Sequence, residues 1–168
     1  NAILESRKPV IAAVNGGAYA GGLGLIAASD IVVTDQLAQF SFSEVRIGVI
    51  PAVISVVCIP KLGSHNAMKL FITGEKFSGK DAVGYGLAHI AVPRNDLKKE
   101  VEAQLDMINL GGPNAVKECK QLVRKIEKLS VQEGFKKAGP WSQKMFSSDE
   151  GAEGMAAFRD KRQPDWIH

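Results

Sequence analysis

The chain has 168 residues, of which 45% are hydrophobic and 23% charged, and a net charge of +3. This is ordinary globular composition, with length for one domain and its own core. No apolar run is long enough to span a bilayer, the longest, Val49–Pro60, being broken by Pro51; Asn1–Pro9, without an apolar middle, is not expected to be a signal peptide; and the net charge is too small to argue by itself for nucleic acid. A soluble cytoplasmic protein is the expectation.

Residues 2–7 resemble the tail of a helix that Lys8-Pro9 ends. Val10–Val14 is a continuous apolar run and is expected as a buried strand, followed by a turn at Asn15-Gly16-Gly17. Ala20–Ser29 is expected as a short helix of small side chains, Ile31–Val33 as a second buried strand, and Gln39–Phe42 as a third by its alternation. Buried strands joined through a helix imply an α/β layered core. From Pro51 onward the pattern is mostly helical, with helices expected at Ala52–Lys61, Ser64–Ile72, Lys80–Tyr85, Asp96–Ile108, Asn114–Leu129, Val131–Phe146 and Asp149–Arg162. Only His89–Val92 reads as another strand. The chain therefore divides into an α/β part, residues 1–92, and a helical part, residues 93–168.

Several side chains get a plain structural assignment. Cys58 and Cys119 form no ligand or redox motif and are expected in core or buried faces. His65, His89 and His168 show no metal-ligand spacing, so no metal is expected. Lys117, Lys120, Arg124, Lys125 and Lys128 recur at helical spacing and are expected as a solvated face. No aromatic residues interleave them, which argues against nucleic-acid binding.

Two stretches could carry chemistry. Ala18–Gly24 lies between a strand and a helix start, and its glycines let a ligand approach the backbone. Helix-start N–H groups there favour a phosphate or a developing oxyanion; the alternative is that small residues only permit close helix packing. In Phe40–Pro51, Glu44 is an isolated carboxylate among apolar and hydroxyl neighbours. Burial would raise its pKa and suit it to proton transfer near neutral pH; the alternative is an exposed glutamate or one paired with Arg46.

Taken in order, these segments resemble the crotonase (enoyl-CoA hydratase/isomerase) family. The resemblance runs through Lys8–Gly16, Ala20-Gly21-Gly22, Asp30-Ile31-Val32, Ala38-Gln39-Phe40, Ser43-Glu44, Gly48, Ile50-Pro51, Leu62-Gly63, Phe71–Ser78, Ala82, Gly86-Leu87 and Glu153–Arg162. It implies a crotonase-like ββα spiral core, truncated at the N-terminus, with a C-terminal helical trimerisation region. It also implies an acyl-CoA thioester as substrate, coenzyme A being part of the substrate and no separate cofactor needed. Two backbone N–H groups stabilise the enolate oxygen, and the position of the second donor is Gly21. Glu44 corresponds to one of the two glutamates that hydratases of the family use. Ala20, Gly22, Gly24, Pro51, Phe158 and Lys161 fall at positions expected to contact substrate, the last two through a neighbouring subunit of a homotrimer or hexamer.

Two departures bear on function. The other hydratase glutamate is replaced by Gly24, which leaves a single carboxylate. Hydration of a 2-enoyl-CoA would then need Glu44 both to orient water and to relay its proton, whereas an enoyl-CoA isomerase needs only one base. The family's N-terminal portion, with the first oxyanion donor, precedes the part that Asn1–His168 resembles. A chain limited to these residues is expected to be inactive, and a non-catalytic acyl-CoA-binding or assembly protein is the rival outside enzymology. The acyl-pocket residues present, Ala52, Val53, Ile54 and Val57, say only that the pocket is apolar.

Overall fold

A computed structural model describes residues 2–167; Asn1 and His168 lie outside the described residues. Two compact units can be distinguished.

The first unit comprises residues 1–6 and 10–103. After helix α1 (Ala2–Glu5) come strand β1 (Ile11–Val14), the two-residue strand β2 (Ala18–Tyr19) and helix α2 (Gly21–Ala28). Strands β3 (Ile31–Asp35) and β4 (Gln39–Ser41) follow, then a 3-10 turn, Ser43–Ile47. Helix α3 (Ala52–Thr73), strand β5 (Phe77–Ser78), helix α4 (Gly79–Gly84) and strand β6 (Ile90–Val92) complete the layer before helix α5 (Leu97–Asn109) begins.

The strands form two three-stranded sheets, ordered β1-β3-β6 and β2-β4-β5. The first is parallel, with Ile11 opposite Ile31 and Val33 opposite Ile90. A parallel sheet covered by helices favours uninterrupted apolar runs, and Val32, Val33 and Thr34 of the central strand are buried. In the second, β2 runs parallel to β4 and β5 antiparallel to it. Between the layers sit Leu23, Phe40, Phe42, Cys58, Leu70, Phe77 and Leu87, with Phe42 and Phe71 at a ring separation of 4.6 Å. This is the layered α/β core expected from the sequence.

The second unit comprises Arg7–Pro9 and residues 104–168. It contains the rest of α5 and helices α6 (Pro113–Ile126), α7 (Val131–Phe146) and α8 (Asp149–Arg159). α7 starts at a capping box: Ser130 Oγ accepts from Glu133 N while Glu133 accepts from Ser130 N.

The helices expected at Ala52–Lys61 and Ser64–Ile72 are present as the two arms of α3, separated at Gly63, whose φ of 69° and ψ of 158° break the helical path. Several other expectations are corrected. Asp149–Arg162 stops at Arg159 because Lys161 adopts a positive φ of 54°. Cys119 is exposed, not buried. Lys120 is not part of the solvated face: it is buried, and its Nζ donates to Lys8 O at 2.9 Å, which satisfies a charge that would otherwise be costly to bury.

Candidate active site

The site is assembled from the first unit, beginning at the joint between β2 and α2. Ala20 precedes α2 with φ 46° and ψ −120°, a region that residues with a Cβ rarely enter, at a cost of about 1–3 kcal/mol. Hydrogen bonds hold it there: Ala20 N donates to Ser41 O at 3.2 Å, and Ala20 O accepts from Leu23 N at 3.0 Å. Gly21 and Gly22 then open the helix, where the first N–H groups have no intrahelical acceptor. Gly21 is exposed, and no atom lies within 4 Å of where its side chain would stand. A carbonyl oxygen gaining negative charge can approach that backbone closely.

The second component is the 3-10 turn that carries Glu44. Phe42, buried, anchors the turn on one side. On the other, Gly48 takes a left-handed φ of 77° and donates to Val45 O. Glu44 is half-buried. Its Oε2 is the one buried side-chain oxygen or nitrogen, among the described residues, with no hydrogen-bond partner. The nearby Arg46 therefore does not bond this oxygen. An unpaired buried carboxylate oxygen is costly for folding, and it leaves an acceptor ready for a proton.

Cys58 of α3 ties the two pieces together. It is buried, with Sγ 3.8 Å from Leu23 O in the first turn of α2. Its thiol is pushed up to about 12, by burial first and then by the negative charge of Glu44.

Gly24 stands three residues after Gly21, on the same face of α2. A Cβ built on it would lie 2.5 Å from Ile54 Cγ2. The room a side chain would take at residue 24 is already filled by α3. Pro51 is buried and caps α3 one turn before Ile54. Gly22 is half-buried, its Cβ position 3.5 Å from Ala18 Cβ.

Ala20, Gly21, Gly22, Gly24, Glu44 and Pro51 therefore all belong to the first unit. Phe158 and Lys161 belong to the second, at the end of α8, where Phe158 is 89% exposed and Lys161 is also exposed. Sequence reasoning assigned Cys58 to the core, as found, without seeing its contact with Leu23 O of α2. The signal lay in the spacing of Ile54 and Cys58, four residues apart and so on one face of α3. Among the described residues no group of three His, Cys, Asp or Glu side chains is placed to hold a metal ion.

The whole chain, residues 1–168, matches the sequence model of the enoyl-CoA hydratase/isomerase family. A carnitinyl-CoA dehydratase from Proteus mirabilis is 31% identical, over 98% of this chain and 65% of its own length. Among solved structures, an enoyl-CoA hydratase from Mycobacterium smegmatis superposes with a TM-score of 0.95 at 30% identity, covering 99% of this chain and 65% of that one. One from Shewanella pealeana gives 0.91 at 31% identity, covering 98% and 62%. The chain thus spans 62–65% of the length of these relatives. With the match running from end to end and the fold shared throughout, this chain belongs to the enoyl-CoA hydratase/isomerase family.

Proposed function

We propose that the protein carrying this chain binds an acyl-CoA thioester and adds water to, or removes it from, the acyl chain next to the thioester. The observation that carries this is the unpaired, buried Oε2 of Glu44. Gly21 N–H donates to the thioester oxygen and stabilises the enolate as it forms. In the hydration direction Glu44 takes a proton from water as the hydroxyl adds to C3 of a 2-enoyl-CoA. The same carboxyl returns that proton to C2 of the enolate. Dehydration is the reverse. Ala20, Gly22, Gly24 and Pro51 shape the walls of the acyl and thioester site. Phe158 and Lys161 serve coenzyme A, the lysine as a mobile charge for a phosphate, in a homotrimer or hexamer. The names of the relatives, a dehydratase and hydratases, support this direction of chemistry.

A specific observation favours a second reading. Ile54 leaves no room for a side chain at residue 24, so Glu44 is the only carboxylate this stretch brings to the site. One carboxylate suffices to move a proton from C2 to C4 of a 3-enoyl-CoA, which is an isomerisation. The test is crotonyl-CoA hydration by the protein containing this chain, followed by loss of the conjugated enoyl absorbance and by oxygen-18 uptake from solvent. Hydration with label uptake is expected, falling about 1,000-fold in Glu44→Gln with the fold retained. Turnover unchanged in Glu44→Gln would refute the assignment. Double-bond migration without label uptake would establish the isomerase.

A further inference from the structure

Ser41 ends β4, is 2% exposed, and stands opposite Tyr19 of β2. Its backbone oxygen accepts from Ala20 N at 3.2 Å. The ψ of Ala20, −120°, sets the plane of the next peptide, whose N–H is that of Gly21. The Ser41 hydroxyl donates to Gly74 O at 2.9 Å, across a sequence separation of 33. Gly74 is buried and takes a left-handed φ of 56° at the end of α3. A Cβ there would lie 2.9 Å from Val45 Cγ1, 3.2 Å from Arg46 Nε and 3.3 Å from Phe42 O. The bare backbone of Gly74 is therefore packed against the turn on both sides of Glu44. From Ser41 the chain reaches Glu44 through only Phe42, which is fully buried, and Ser43. One buried residue thus holds the approach to Gly21 by its main chain and the Glu44 turn by its hydroxyl.

We propose that Ser41 is a positioning residue for the reaction: its hydroxyl, through Gly74, holds the Glu44 turn in register with the Gly21 N–H. This rests on Gly21 and Glu44 acting as proposed above. The enolate oxygen sits at one of these groups and the carbon that exchanges a proton at the other, so their spacing must match the substrate. The bond from Ala20 N to Ser41 O is main chain to main chain, and any residue at position 41 supplies it. The hydroxyl is what serine adds. Removing it takes this donor from the oxygen of a buried residue and frees the turn to shift. Glu44 Oε2 has no hydrogen-bond partner, so the turn that carries it decides where it stands. A displacement of about 1 Å in a reacting group lowers turnover by about 100-fold.

The test measures, on the complete protein, kcat for crotonyl-CoA and the dissociation constant of butyryl-CoA, which has no double bond to hydrate. Ser41→Ala is expected to lower kcat about tenfold or more while the dissociation constant stays the same. Ser41→Thr keeps the hydroxyl and should restore most of the loss; Ser41→Cys, close in size but a weak donor, should not. In a Glu44→Gln background, Ser41→Ala should lower the residual turnover no further, because residues that act as a unit are not additive. A merely structural serine would instead reduce the number of butyryl-CoA sites and the turnover alike, in both backgrounds. An unchanged kcat in Ser41→Ala, or an equal fall with and without the Glu44 carboxylate, would overturn the proposal. If Ser41→Ala does not fold, Ser41→Cys against Ser41→Thr decides. If Glu44→Gln leaves no residual turnover, the split between kcat and the dissociation constant decides. Turnover unchanged in Glu44→Gln alone would remove the site reading on which the proposal rests.

Discussion

At the scale of single residues, Cys58 combines packing with charge. Burial and the Glu44 carboxylate raise its thiol from an ordinary 9.0 to about 12. The unfolded chain loses that proton near pH 9, while the folded chain keeps it until about 12. Stability from this group is therefore complete below pH 9 and is lost as pH rises from 9 to 12, at up to about 1.4 kcal/mol per pH unit. In urea titrations, the stability gap between wild type and Cys58→Ala should narrow across that interval; a constant gap would contradict the placement. In the folded protein a thiol reagent should modify exposed Cys119 and spare Cys58. Glu44 was legible in the sequence as a carboxylate stranded among apolar and hydroxyl neighbours. The strain at Ala20 and the seat of Ile54 were not. Both depend on how closely separate segments approach, Ser41 on Ala20 and α3 on Gly24, and no local pattern encodes a distance across the core.

At the scale of elements, the start of α6 is capped by a distant helix. Glu150, in the first turn of α8, accepts from Asn114 N at 2.9 Å and from Ala115 N at 2.7 Å. Pro113 opens α6, where its missing N–H is no loss. A carboxylate on a helix N-terminus satisfies orphan donors and opposes the helix dipole. Glu150→Ala should cost about 1 kcal/mol in chemical denaturation, with Glu150→Gln in between because it keeps one acceptor oxygen but loses the other and the charge. Equal stability of all three would show the cap to be idle. Elements of this kind varied in how far they could be read beforehand. α7 has the limits expected, because Ser130 and Glu133 mark its start in the sequence itself. β2 and β5 were missed: two residues are too few to show alternation, and they are strands only because β4 lies between them. The Gly63 break in α3 was anticipated as the gap between two helices, and the non-helical backbone of Gly63 separates them there.

At the scale of the whole molecule, the α/β spiral was readable because buried strands keep apolar runs and the family motifs recur in order. The allocation of Arg7–Pro9 to the second unit was not, since nothing in Arg7-Lys8-Pro9 names a partner more than a hundred residues away. The contact concerned is Lys120 Nζ on Lys8 O, at a sequence separation of 112. Residues 104–168 produced alone lack that carbonyl and should give a poorly dispersed amide NMR spectrum, because a buried ammonium loses an acceptor. A well-dispersed spectrum would show the second unit to be independent of residues 7–9. The same contact imposes an order on biosynthesis. Lys8 is synthesised first, and its partner is not made until another 112 residues have been added, about ten seconds at ordinary elongation rates. For that interval Arg7–Pro9 waits without its partner, and the second unit can close around it only after Lys120 has been made.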